Sequence, residues 1–531
     1  MTCPHKGETL QGQRGAALLI AIFALLLISV VAIALVVSAG TDSALTGNYR
    51  TSTSAYYADV AGLEEARGRL LWKNPNYINN TNNYSTLLNS SGLPTWGLTQ
   101  VLYIVNPADG EAASSVLTDY PDAEYEPEFG WPLSGAIVNQ ITSVSRDTVP
   151  SPSLPGQAFR WVRITPATEK SLGIDVDGNS TQDSATVLYY DPAHVDGFGN
   201  FTPGLISTPT PPPTAVQALE LTAFAVLPSG SRRMLQYVVA PLMVAPNAAS
   251  NTFPAALTLT NNPVGNPPSV SFTVPSPNPG PPPINNFEIT GQDSCAGNAL
   301  VYSVGYTQSG DSTVILGAAT PPSKFLGAPP GSSPPPSSPG IGNINPTPAT
   351  SLLRPNWLTP LGLDEVVQDI TKSADIVLNG SINANTSLTP LLAGMTPPGG
   401  NPMTIVVNGD LDFNGWHQTG YGLLLVTGTL KYDPDATWFG PILIIGQGSF
   451  VSTRSGSGQI NGPVFIAKTR DTSGTLLATL GSASFSQTGS SADSGYGIHY
   501  SSCAGQSALG FSAQGPLTYK VLSFREIPLA N

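Results

Sequence analysis

From residue 16 to residue 37 the chain runs 22 positions without a charge, and Ser29 is the only polar side chain among them. As a helix rising about 1.5 Å per residue, the run is roughly 33 Å long, enough to cross a bilayer. Backbone in lipid must satisfy its own hydrogen bonds, so a helix is the expected form. The apolar pattern then continues at spacings of three, four or seven through Leu45, Tyr49, Tyr56, Val60, Leu63 and Leu70. That is one face of a helix. The spacing predicts a single helix over 16–72, with Glu65 and Arg69 on the outer face and Asp59 and Glu64 on the flanks. Arg67 falls on the stripe and would have to snorkel outward. Gly47, Gly62 and Gly68 each weaken helix propensity by about 1 kcal/mol and are candidate bends.

Beyond residue 72 the period changes. Residues 73–128 are rich in Asn, Tyr, Pro and Ser and read as an irregular loop with a short strand at 101–105. Alternation then predicts strands at 158–164, 185–190, 220–226 and 234–239, with a turn at 229–233 between the last two. These make an antiparallel sheet, a β-rich head over 73–245. Residues 246–285 and 319–356 are Pro-rich and read as extended spacers. They bracket a small β-region at 286–318, and a short helix follows at 363–370, so 246–375 reads as linker. In 376–531 one unit recurs: 404–409, 422–428, 440–446 and 462–467 are aliphatic runs, and Gly409, Gly428 and Gly446 stand 18–19 residues apart. A fixed period of this size marks stacked units. A parallel β-helix beginning near 374–382 is the favoured reading, and a β-sandwich stays open. The fold class is therefore α+β.

A family resemblance lies in the first 72 residues. Gln13-Arg14-Gly15-Ala16-Ala17-Leu18-Leu19-Ile20 resembles a class III prepilin cleavage site. Thr46-Gly47-Asn48-Tyr49-Arg50, followed by Ala55-Tyr56-Tyr57-Ala58-Asp59-Val60-Ala61-Gly62-Leu63-Glu64-Glu65-Ala66, resembles the opening signature of PilX-type type IV pilus assembly proteins. The resemblance implies a leader, 1–15, removed by prepilin peptidase between Gly15 and Ala16. It implies a pilin-like head and partnership with other pilins through the N-terminal helix. The chain would be a single-pass inner-membrane protein before assembly, then part of the pilus at the cell surface. Ala16 stands where major pilins have Phe, and Ile20 where they have Glu. An apolar Ile20 cannot pair with a neighbour's N-terminal amine, which favours a minor subunit near the tip. Lys6 and Arg14 place the leader on the cytoplasmic side.

Charge and cysteines narrow the picture further. Net charge is −13 with no basic block, so binding along a nucleic-acid backbone has no electrostatic support. Charged residues are only 10% of the chain, which excludes disorder through excess charge. Cys3 lies in the expected leader, leaving Cys295 and Cys503 as an even pair in an export context. One disulfide follows, or two separate small buried residues. Asp175, Asp177, Asn179 and Asp183 place oxygens at positions one, three, five and nine, a spacing that can wrap Ca²⁺ and resembles short loops of some pilus-associated and extracellular proteins. An Asp/Asn/Gly-rich turn uses the same residue types.

Catalysis has little support. Asp410, Asp412 and His417, beside Trp416, are the best acid/base cluster, but alternating polar positions on an outer face explain them better. His5, His194, His417 and His499 are scattered without metal-ligand spacing. The expected role is pilus assembly without enzymatic activity. A pilus-mounted adhesin, and the tip subunit of a related secretion pseudopilus, are the alternatives.

Overall fold

In the computed structural model, the apolar run and its amphipathic continuation are one helix of 57 residues, Gln13–Arg69. The structure describes residues 13–71, 93–143, 159–192, 204–241, 253–275, 286–295, 299–347, 350–392, 402–489, 495–509 and 518–529, apart from isolated positions inside those spans, together with a few between 74 and 87 and residue 194. Every side chain described from Leu18 to Arg50 is exposed. Burial begins at Ala55, where the helix settles onto a sheet.

That sheet has six strands in the order Ile137–Thr142, Gln100–Val105, Phe159–Pro166, Leu219–Val226, Arg232–Pro241 and Tyr519–Glu526. The first pair is parallel and the other four are antiparallel. Side chains alternate across a strand, and here both faces are covered. Leu102 and Ile104 join Val162, Leu221 and the helix residues Leu63, Ala66 and Leu70 on one face. Val101, Tyr103 and Val105 join Trp161 and Phe224 under the short helices Val116–Asp119 and Tyr125–Phe129 on the other.

The last strand corrects the expected domain boundaries. Tyr519–Glu526 is not part of the C-terminal repeat region; it pairs with Arg232–Pro241, with Tyr519 opposite Pro241. Residues 242–518 are therefore inserted between two neighbouring strands of the head. A pairing across that sequence separation leaves no local mark in the pattern.

The inserted region is built on parallel ladders. The main one runs Ile376–Asn379, Met403–Asn408, Thr419–Val426, Ile442–Gly446, Val464–Arg470, Ala255–Leu259, Tyr302–Tyr306 and Ile341–Asn343. Ile405 pairs with Leu424, Leu424 with Ile442 and Ile442 with Val464, which are steps of 19, 18 and 22 residues. A second ladder takes Ile382–Asn383, Leu411–Asp412, Thr429–Lys431, Ser449–Ser452, Ser484–Gln487 and Ser271–Thr273. A third starts on the first half of Thr419–Val426 and takes Thr437–Phe439, Gln459–Asn461, Gly497–His499 and Glu288–Thr290. Inside the stack, Phe413, Tyr432, Phe450, Phe485 and Phe272 form an aromatic column with successive centroids 5.5, 5.8, 4.8 and 5.7 Å apart. Those steps are close to the strand spacing of a sheet.

The Pro-rich linker expected over 246–375 is corrected by the same ladders, because 255–259, 271–273, 288–290, 302–306 and 341–343 are strands within them. The parts at 242–252 and 276–285 lie outside the described residues. Pro329, Pro330 and Pro334 to Pro336 sit between strands, where no ladder N–H is required. These early segments occupy the far end of the stack. Helix Pro360–Ser373 then packs across strands of the main ladder and returns the chain to its other end at Ile376.

Candidate functional site: the seat of the long helix

The helix meets the sheet through small residues. Ala55, Ala58, Leu63, Ala66 and Leu70 are buried, and Gly62 lies where a Cβ would stand 2.9 Å from Val162 Cγ2 and 3.0 Å from the Phe159 ring. Gly62 is a point of close approach, and its missing side chain sets the helix–sheet distance. Leu45 and Tyr49, which the periodicity places on the buried stripe, are exposed. We expect Gly62→Leu to overpack this seat and cost about 1–3 kcal/mol. Chemical denaturation of the detergent-solubilised chain checks it, and an unchanged midpoint would show that the seat is loose.

The polar assignments on the helix also change. Arg69 is buried and sits 2.9 Å from Glu65, while it donates to the Thr142 carbonyl at 2.9 Å. Ser143 donates to Glu65 at 2.7 Å. The edge strand of the head thus supplies partners that turn this pair inward. Arg67 stays on the rim, paired with Glu64 and donating to the Tyr519 carbonyl at 3.4 Å. Asp59 is wholly buried, with neither oxygen in hydrogen-bond geometry to a described donor. Burial pushes its carboxyl up to about 9; the Arg233 charge and a weak pull from the Ala225 N–H oppose this, and Glu526 adds to it. Arg233 closes the rim by pairing with Glu526 at 2.6 Å and lying over the Tyr56 ring.

Across the sheet, Arg163 is fully buried among acids. It lies 2.7 Å from Asp122 and 3.5 Å from Glu220, and it also pairs with Glu128. Tyr103 donates to Asp122 at 2.7 Å, and Arg525 on the last strand reaches Glu128 at 3.2 Å. Burial, reinforced by Glu128, pushes Glu220 up to about 8 against the pull of Arg163 and Arg525. Removing one member of such a set leaves an uncompensated buried charge. Its signs in the sequence are charges inside apolar strands, Arg163 in one and Glu220 in its neighbour.

Gly15 and Ala16 fall in the first turn of the helix, and their side chains lie outside the described residues. No family model, curated protein or solved structure matches this chain. Along the helix, a single segment within Leu18–Arg69 is long and apolar enough to cross a membrane.

The acidic loop after Thr168 has a different donor set from the one its spacing suggests. Asp175, Asp177 and Glu169 bring carboxylate oxygens within 4.8 Å of one another. Glu169, six residues upstream on the short helix Glu169–Leu172, is the member the spacing missed. Asp175 accepts from the Gly178 and Ser180 N–H groups at 2.8 Å, and Glu169 accepts from Val176 at 2.9 Å and Asp183 at 3.1 Å. Asn179 and Asp183 bond to each other at 3.3 Å and stand outside that trio. A Ca²⁺ ion would share oxygens that already hold the turn.

Cys295 and Cys503 are bonded, with Cα atoms 5.8 Å apart, and fasten the segment after Glu288–Thr290 to the helix Ser502–Leu509. The Asp410 carboxylate accepts from Thr429 N–H at 2.7 Å, and Asp412 accepts from Asn414 N–H at 2.9 Å. Both brace turns. His417 faces Asp433 and Asp435 of the next turn instead.

Proposed function

We propose that the chain is a minor, tip-proximal pilin-type subunit of a type IV pilus. It is cut between Gly15 and Ala16 and held in the inner membrane by residues 16–37 until assembly. The observation that carries this reading is the division of the long helix. Its side chains are bare from Leu18 to Arg50, and from Ala55 it is sealed onto the head sheet. A bare apolar rod needs lipid or kindred helices around it. The cleavage motif and helix signature name the assembly that offers both, and Ile20 fits a position where no pairing carboxylate is needed. The role is structural, without catalysis. Other pilins and prepilin peptidase are the partners, and the pilus at the cell surface is the destination.

We read the three parallel ladders as a short parallel β-helix, since from Met403 to His499 their strands follow one another in the same succession turn after turn. Its insertion between two adjacent head strands supports a second role as a mounted adhesive module. The test of the main reading is Gly15→Val. The unaltered chain is expected to yield a mature N-terminus at Ala16, and the variant to keep residues 1–15. Identical processing of the two would remove the prepilin reading.

A further inference from the structure

One corner of the inserted stack gathers ligand atoms of two kinds from consecutive turns. His417 lies in the turn between Leu411–Asp412 and Thr419–Val426, and Asp433 and Asp435 lie in the turn between Thr429–Lys431 and Thr437–Phe439. His417 Nε2 stands 3.6 Å from Asp433 Oδ2 and 3.8 Å from Asp435 Oδ2, and a ligand atom from each of the three lies within 4.8 Å of the others. We propose that this corner binds a divalent transition-metal ion, Zn²⁺ being the best fit, through His417, Asp433 and Asp435.

Three features carry it. The first is donor chemistry. One imidazole nitrogen with two carboxylate oxygens suits Zn²⁺, whereas Mg²⁺ and Ca²⁺ prefer oxygen alone. The second is spacing. Zn–N and Zn–O bonds of about 2.0–2.2 Å put the ligand atoms of a tetrahedral ion roughly 3.4 Å apart. The observed 3.6 and 3.8 Å separations need only a few tenths of an ångström of closure. The third is preorganisation by the fold. Asp433 is buried and accepts from Gly415 N–H at 2.6 Å and Asp435 N–H at 3.0 Å. Asp435 accepts from Ser457 N–H at 3.0 Å through Oδ1, leaving Oδ2 toward the imidazole. Trp416, buried against Phe413 at 4.8 Å, pins the residue before His417. His417 itself is exposed, so an ion can enter from solvent and keep water in its fourth position.

Arg454, from the following turn, lies 3.9 Å from Asp433 Oδ2 and is largely exposed. Its positive charge faces one of the proposed ligand oxygens and would compete with an ion for it. This separates a metal site from a plain ion-pair cluster. In a cluster Arg454 would be a supporting partner; at a metal site it is a competitor.

The test is calorimetric titration of the full chain in detergent with zinc chloride. One site is expected. His417→Ala and Asp435→Asn should each weaken it at least tenfold, and Arg454→Ala should strengthen it several-fold. His417 is exposed and Asp435 half-buried, and unchanged melting of the apo variants shows that they fold. Asp433 is left intact because it holds the Gly415 turn. Absence of binding, binding indifferent to both ligand substitutions, or weaker binding in Arg454→Ala would each overturn the proposal. Calcium chloride titrated into the same variants serves as control, and Ca²⁺ binding as tight as Zn²⁺ binding that is lost in Asp435→Asn would also overturn the assignment to a nitrogen-containing site; Ca²⁺ heat unchanged in that variant belongs to the loop of Glu169, Asp175 and Asp177.

Discussion

A chain ending at residue 518 is expected to lose its head, while a chain in which 242–518 is replaced by a short turn is expected to keep it. The first cut leaves the strand Arg232–Pro241 unpaired on one side and removes Tyr519, which is fully buried in the helix–sheet core. Truncating one buried aromatic side chain costs about 3–5 kcal/mol. The same cut takes away Arg525, so Glu128 loses one of its two cations, and Glu526, so Arg233 loses its carboxylate partner. Against a typical total of about 5–15 kcal/mol, these losses leave little. The second cut is nearly seamless, because Pro241 and Tyr519 are direct partners on adjacent antiparallel strands, which a hairpin can join. It uncovers Tyr190, Val216 and Ala240, head residues packed against the stack, and releases Lys520 from Glu365 and Asp369 of helix Pro360–Ser373. That is a modest cost beside a missing strand. Hydrogen exchange of the head strands in the two variants decides it, since the stack that remains in the chain ending at 518 can melt by itself. Protection of Phe159–Pro166 and Leu219–Val226 in the chain ending at 518, or its loss in the hairpin variant, would contradict the insertion.

On the proposed pilus reading, this topology also separates an assembly role from an adhesive one. Removing the C-terminal region at 376, as the repeat pattern invites, would destroy the head and abolish pili under either role. The excision leaves the head intact, so lost pili would implicate the stack in assembly, and normal pili with lost attachment would implicate it in adhesion.

Local pattern made much of the fold legible. The apolar run, the strands at 219–226 and 232–241, and the repeat at 404–467 declare themselves because neighbours in sequence share a period. What was hidden depended on distant partners. Tyr519–Glu526 looks like any strand near a repeat, and only its pairing shows where it belongs. Ala255–Leu259 was masked by surrounding prolines that serve as corners. On the helix, the stripe of large apolar residues holds at Leu63 and Leu70, but Leu45 and Tyr49 are bare, and small residues, Ala55, Ala58, Gly62 and Ala66, make up the rest of the seat. The metal corner was half legible. His417 attracted notice beside Asp410 and Asp412, yet the stack aligned it with Asp433 and Asp435, one turn later.

Stability is expected to fall as pH rises through the neutral range, and Asp59→Asn is expected to flatten that fall. Burial under the helix holds the Asp59 carboxyl at about 9, against an ordinary value of 3.8 in an unfolded chain. Between those two values the folded chain carries a proton that the unfolded chain has released. Folding then takes up a proton, so each unit rise in pH costs up to about 1.4 kcal/mol. The contribution is fully present below about pH 4 and is lost as pH climbs toward 9. From pH 5 to pH 8 the loss approaches 4 kcal/mol as an upper bound by the same linkage. Glu220, held at about 8, acts in the same direction, so the total slope alone does not isolate Asp59. The difference between the unaltered chain and Asp59→Asn does, because the amide cannot ionise. The variant should be the less stable protein at pH 5, where an uncharged carboxylic acid already fits the seat, and should draw level or overtake at pH 8. Denaturant midpoints of both chains in detergent across that range provide the measurement, and parallel profiles would show that Asp59 reaches solvent when ionised. Since the group lies between helix and sheet, its ionisation loosens the joint that couples the membrane-length rod to the head.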